Sequence, residues 1–214
     1  MSDVKAPGGF LAPLQSREWR AEARRKAIHL SFLVLPLVLL LEPLPWPRTR
    51  GQFRVLFLTL TASAIALDVL RIHERRVRTM FRRFFGELIR QHEALSLLGS
   101  TYLLLAALIA IEVFPRPVAA VALGFTVLGD ATSALVGRAW GRHRLFGKSW
   151  EGTAGCLAAC LVWAACVTRA AALPWPVTIA GACMATLVEV LPIPLDDNLG
   201  ITLAAGYTMK LMAG

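Results

Sequence analysis

The chain has 214 residues, 56% of them hydrophobic and 17% charged, with a net charge of +9 and a mean hydropathy of +0.58. That is too apolar and too sparsely charged for an ordinary water-soluble domain, so the expected fold class is all-α, a polytopic transmembrane helical bundle. The basic excess lies between apolar runs and lacks the aromatic interleaving of a strand-binding surface, which argues against a nucleic-acid partner.

Residues 1–17 contain Pro7, Gly8, Gly9 and Pro13 and read as a flexible N-terminal arm ahead of a single membrane domain over 18–214. No small-residue cleavage pattern follows the apolar run after Ala27, which argues against a cleaved signal peptide. The segment SREWRAEARRK, centred on residues 18–26, suits an amphipathic helix on the membrane surface with Trp19 as its interfacial anchor. Six spanning candidates follow at about 27–44, 53–72, 97–114, 117–137, 152–173 and 175–191, and a shorter apolar run at 199–213 is either a tilted seventh span or a re-entrant segment. Between the second and third spans, RIHERRVRTMFRRFF interleaves Val77, Met80, Phe81, Phe84 and Phe85 with arginines, the pattern of an interfacial helix on anionic lipid. His73 and His92 read there as solvated surface residues. Cys156, Cys160, Cys166 and Cys183 all fall in apolar stretches without a CxxC pair and read as buried small hydrophobes.

Lys and Arg alternate between the connecting segments. The arm carries six, residues 71–90 seven and residues 138–148 four, against three (Arg48, Arg50, Arg54), one (Arg116) and one (Arg169) on the other side. The arm and the even loops are therefore expected on the cytoplasmic side. This places Arg25, Lys26 and His29, Asp68 and Arg71, Glu93, Asp130, Glu189 and the run Asp196, Asp197, Asn198 at one membrane face. The last of these loops, PIPLDDN, has no Lys or Arg. Charges so near hydrocarbon usually face a bundle interior or a water-filled cavity.

The stretch LGDATSALVGRAWGRHRLFGKSWEGTAG, over residues 128–155, carries the densest chemistry. Asp130, Ala134, Gly137 and Gly141 share one helix face, a carboxylate above a smooth strip. The strip serves either small-residue helix packing or close approach of a nucleotide whose phosphates share a Mg²⁺ ion with Asp130. Gly147, Lys148 and Ser149 lack the GxxxxGK[ST] form and no strand is expected before them, so a P-loop mechanism is not claimed. They can offer an anion backbone N–H groups, an ammonium and a hydroxyl, or form a plain helix cap. Arg25 and Lys26 read as a basic flank or as phosphate ligands, with His29 one turn away and able to move a proton near neutral pH. Asp68 and Arg71, three apart, read as an intrahelical ion pair. Asp196, Asp197 and Asn198 form either a turn or a second metal or phosphate-water station whose like charges need a cation or hydrogen bonds to compensate them.

In combination, RRKAIH, Glu93 with LGSTY (Gly99, Tyr102), GDATSALVGRAWGRHRLFGKSWEG and the E-LP-PLDDN segment resemble the dolichol kinase and phytol kinase family, which includes CTP-dependent diacylglycerol kinases. The resemblance spans about residues 22–206. It implies a membrane-embedded enzyme that phosphorylates a lipid alcohol with CTP rather than ATP. Arg25, Lys26, Asp130, Gly137, Gly141, Lys148, Ser149 and the Asp196, Asp197, Asn198 run would then form the nucleotide and phosphoryl-transfer site. The central stretch is also similar to phosphatidate cytidylyltransferases, although LPIPLDDN replaces their terminal signature.

The resulting expectation is a multi-pass kinase of the cytoplasmic membrane with its N-terminus and active site at the cytoplasmic face. Asp130 with Asp196 or Asp197 would hold Mg²⁺, and Lys148, Arg25 and Lys26 would bind phosphate oxygens. Asp197, Glu189 and His29, in that order, are the candidates for the base. The rivals are a cytidylyltransferase making a CDP-lipid and a non-enzymatic transporter or lipid-binding protein, although no internal repeat of the transporter kind is visible. The sequence specifies neither the alcohol nor an oligomeric state.

Overall fold

Pro36 decides how the chain enters the bundle. Its ring removes one backbone donor and collides with the carbonyl four residues earlier, that of Phe32, and the helix that begins at Arg17 stops at Ser31. The computed structural model describes residues 14, 17–41, 46–86 and 95–214. Over these the elements are α1 (Arg17–Ser31), α2 (Val34–Leu41), α3 (Arg50–His73), α4 (Arg75–Phe85), α5 (Gly99–Val113), α6 (Arg116–Trp140), β1 (Arg144–Leu145), β2 (Lys148–Ser149), α7 (Trp150–Ala171), α8 (Trp175–Val190) and α9 (Asp197–Ala213). The arm, His92 and Glu93 lie outside the described residues, apart from Leu14 and Arg17.

The fold is all-α; among the described residues three helices, α3, α6 and α7, are long and apolar enough to cross a membrane, and α5 and α8 are shorter apolar helices. The expected span at 27–44 is not one helix. It is divided between α1 and α2 by a turn at Phe32 and Leu33, where Leu35 N–H bonds Phe32 O and Leu37 N–H bonds Leu33 O. The expected surface helix at 18–26 also differs. It runs on into Ser31, and its polar face turns inward: Glu22 and Lys26 are buried, and with His29 they recur at the four-and-three spacing of one helix face.

At the centre is α6, with 72% of its apolar window buried against 22% for α3, as expected for a helix that is apolar on all sides. It packs against α7, α9 and α2. Close approach to α7 depends on Gly124, where a Cβ would stand 2.0 Å from Trp163 Nε1, and the Trp163 indole donates to Val121 O at 3.1 Å. Cys156 and Cys160 are buried, but Cys166 and Cys183 are exposed. The expectation of four buried cysteines holds for two, because α7 and α8 each turn one cysteine outward.

Polar residues gather at the two ends of the bundle. At one end, Arg54 Nη2 donates to Glu112 Oε2 at 2.8 Å and Lys210 Nζ to Val113 O at 2.9 Å. The other end holds the residues singled out above. α9 begins there, with Asp197 beside Lys148, and finishes near the end of α5, where Lys210 donates to Val113 O, so it runs from one end of the bundle to the other as one helix.

Candidate functional site

Parts of five helices, α1, α4, α5, α6 and α9, and the loop before α5 line a cavity of about 460 Å³ at the charged end of the bundle. Arg25, Lys26 and His29 from α1, Asp130 from α6 and Asp196, Asp197 and Asn198 at the start of α9 line one part of it. Ile28 and Phe32, Phe81 and Phe85 of α4, and Leu97, Leu98 and Tyr102 supply an apolar part. Polar residues 104 positions apart meet directly: the Lys26 ammonium donates to Asp130 Oδ2, and His29 Nε2 stands 3.5 Å from the same oxygen.

Arg25 is held from behind by Glu22, whose other oxygen lies 2.9 Å from Arg138 Nη2. Burial acts to raise the Glu22 pKa, and the hydrogen bond and charge of Arg25, with Arg138 and Lys26, outweigh it and hold the carboxyl below its ordinary value. Glu22 was not singled out in the sequence, although its i,i+3 spacing to Arg25 is a visible signal.

Lys148 stands next to the cavity. Its Nζ lies 3.0 Å from Asp197 Oδ2 and 3.1 Å from Glu189 Oε1, and it also donates to Glu189 O. Burial works against the ammonium, but these two carboxylates outweigh it and raise the Lys148 pKa. Glu189 is buried and accepts from Ser133 Oγ at 2.5 Å. It does not line the cavity, so it orients Lys148 where Asp197 and His29 face the cavity itself.

Asp196 is the N-cap of α9, with Oδ1 accepting from Asn198 N–H at 3.0 Å and from Asn198 Nδ2 at 2.9 Å. Burial raises its pKa; the Asn198 bonds pull the other way, and the charges of Asp197 and Asp130 add to the rise. The run thus forms a cap and lines the cavity at once.

The glycines act differently from the nucleotide-facing strip weighed in the sequence. A Cβ on Gly137 would meet Ser149 Oγ at 3.0 Å, and one on Gly141 would meet Gly137 O at 2.2 Å and Ser149 Oγ at 2.7 Å. That face is filled by the start of α7, which is small-residue helix packing. Ser149 caps α7 by accepting from Gly152 N–H at 3.1 Å and does not line the cavity. A short hairpin precedes α7, where no strand was expected: Arg144 pairs with Ser149 and Leu145 with Lys148. Its two central residues, Phe146 (φ 48°) and Gly147 (φ 85°), both have positive φ, the conformation that twists tight hairpins correctly. Gly147 sits at the tip with nothing near it.

Among the described residues, no three His, Cys, Asp or Glu side chains converge as a ready metal centre. The donors around the start of α9 are nonetheless all oxygen. Asn198 Oδ1 is buried without a hydrogen-bond partner, beside the carboxylates of Asp196 and Asp197. Such a set fits Mg²⁺, which is commonly held by one or two carboxylates and completed by phosphate oxygens and water.

The sequence model of the cytidylyltransferase family matches residues 10–193, and the chain belongs to that family. It is 26% identical over 143 residues to an uncharacterised protein of Rickettsia prowazekii, covering 65% of this chain and 67% of that one. It is 29% identical over 167 residues to the CTP-dependent diacylglycerol kinase 1 of Eremothecium gossypii, covering 75% of this chain and 51% of the kinase. The chain therefore aligns with about half the length of that kinase. No solved structure matches.

Proposed function

We propose that this member of the cytidylyltransferase family is a CTP-dependent lipid-alcohol kinase, active at the cytoplasmic face of a membrane. The observation that carries the reading is the composition of one cavity: cations and carboxylates from α1, α6 and α9 share it with aromatic and aliphatic side chains from α1, α4 and the start of α5. A lipid alcohol needs both kinds of surface, and a nucleotide triphosphate needs the first. The kinase relative supports CTP as donor and a lipid as acceptor.

Phosphoryl transfer asks mainly for positioning and for neutralisation of charge. Arg25 and Lys26 bind phosphate oxygens, the first oriented by Glu22 and the second by Asp130. Lys148, held by Glu189, stands beside the cavity against Asp197. The acceptor oxygen bonds to the γ-phosphorus as the bond to the bridging oxygen breaks, CDP leaves, and the hydroxyl proton passes to Asp197. Asp197 is favoured over Glu189 because it lines the cavity. It is favoured over His29 because its carboxylate is the more exposed, 41% against 12%. Asp130 with Asp196 would hold Mg²⁺, which would supply further charge neutralisation.

The test is incubation of the purified protein with γ-labelled CTP, Mg²⁺ and a panel of phytol, farnesol, polyprenol and diacylglycerol. Label is expected in at least one lipid, and label in none refutes the kinase reading. The family match favours a second reading, cytidylyl transfer to a phosphatidate-type lipid, which incorporates the α-phosphate and releases pyrophosphate.

A further inference from the structure

Asp68 and Arg71 form the ion pair expected from their spacing, with Arg71 Nε and Nη2 at 3.1 and 2.9 Å from Asp68 Oδ1. An intrahelical pair needs nothing more, yet this one is buried on both sides and most of its remaining bonds leave the helix. Asp68 Oδ2 accepts from Leu98 N–H at 2.9 Å and from Thr101 Oγ1 at 2.7 Å. Leu98 is the N-cap residue of α5 and has no capping side chain of its own, and a carboxylate from α3 satisfies its backbone N–H, the donor that the reciprocal arm of a capping box would hold. Arg71 Nη2 donates to Ser96 O at 2.7 Å, and its guanidinium stands 5.6 Å from the centroid of the Phe81 ring. Arg78 of α4 donates back to Arg71 O at 3.3 Å.

The groups tied down in this way are Ser96, Leu98 and Phe81, and all three line the cavity, which Asp68 and Arg71 do not. Burying an ion pair costs more than packing two apolar side chains of similar volume, so helix association alone does not account for it. We propose that the Asp68–Arg71 pair is a positioning node that fixes the loop before α5 and the Phe81 face of α4 relative to each other. By doing so it sets the width of the apolar half of the cavity and selects the hydrocarbon of the lipid acceptor. This rests on the reading of that cavity as the acceptor site.

The experiment compares wild type, D68N and the double variant D68L/R71M in lipid nanodiscs, with farnesol and a long polyprenol as competing acceptors. The double variant removes both charges together and so avoids leaving one buried and unpaired. Both variants are expected to raise the acceptor KM about tenfold and to flatten the preference between the two alcohols, with the KM for CTP within about twofold of wild type. A purely structural role predicts a loss of kcat with the preference intact, and that result overturns the proposal. A second measurement works without turnover: a photoreactive long-chain alcohol should label Phe81 or the Ser96 to Leu98 segment in wild type and lose that labelling in D68L/R71M. Wild-type labelling confined to other segments overturns the proposal even where CTP-dependent phosphorylation is observed. Labelling of these walls in a protein that transfers no phosphate refutes the kinase reading and leaves the node in place.

Discussion

Lys148→Met removes the cation between Asp197 and Glu189, and the two carboxylates respond differently. Asp197 is 41% exposed and regains water, whereas Glu189 is 4% exposed, and its Oε2 has no hydrogen-bond partner in the folded protein. Losing one partner of a fully buried pair costs about 3–5 kcal/mol. Lys148 is itself 30% exposed, which weakens the pair through solvent screening, so the expected cost is about 2 kcal/mol. Glu189→Gln keeps an acceptor for the Ser133 hydroxyl and leaves Lys148 its bond to Asp197. It should cost about 1 kcal/mol, the size of one ordinary hydrogen bond. In the double variant the stranded charge is gone, so the combined loss should fall short of the sum by about 1–2 kcal/mol, within the usual range of coupling between contacting residues. Denaturant unfolding of the four proteins in one detergent measures the cycle. Additive losses would refute the claim that Lys148 neutralises Glu189.

Asp130→Asn should lower turnover by at least about 10²-fold, the usual scale for a lost electrostatic group, while a membrane-insertion assay remains normal; wild-type-like turnover would remove Asp130 from the site. Gly141→Ala should destabilise by about 1–3 kcal/mol through overpacking against Gly137 O and Ser149. Gly147→Ala meets no neighbour and should cost about 1 kcal/mol through its positive φ alone. Unfolding midpoints check both, and a Gly141→Ala protein of full stability with weakened CTP binding would restore the nucleotide-facing strip. The raised pKa of Asp196 means that its carboxylate forms at higher pH than an ordinary aspartate. If that carboxylate serves the phosphates, kcat/KM should fall as pH drops through this raised value. In stability the sign is reversed: burial of the charged form costs free energy as pH rises past the ordinary aspartate range. Asp196→Asn should therefore remove that acid limb and flatten stability against pH, and an unchanged profile would count against the role.

Hydropathy made the three long helices legible, because an apolar run of spanning length has one solution in lipid. Charge bias placed the polar clusters together, and the cavity lined by Lys26, Asp130 and Asp197 does join segments far apart in sequence. Three features escaped for local reasons. The break before Pro36 was written in the sequence but masked by the continuous apolar run around it. The hairpin at Phe146 and Gly147 rests on two positive φ angles in a basic loop with little strand propensity. The inward-facing polar stripe of α1 looked like a surface helix because periodicity gives a face, and only packing gives its direction. The glycine strip shows the converse limit: its spacing was correctly read as one face, but whether a nucleotide or Ser149 fills that face is a tertiary fact.

The most direct measurement on the kinase reading runs two reactions in parallel on an accepted lipid, one with γ-labelled and one with α-labelled CTP. Transfer of the γ label with none of the α label, and CDP as co-product, is the predicted result. Incorporation of the α label with release of pyrophosphate would contradict it and make the protein a cytidylyltransferase.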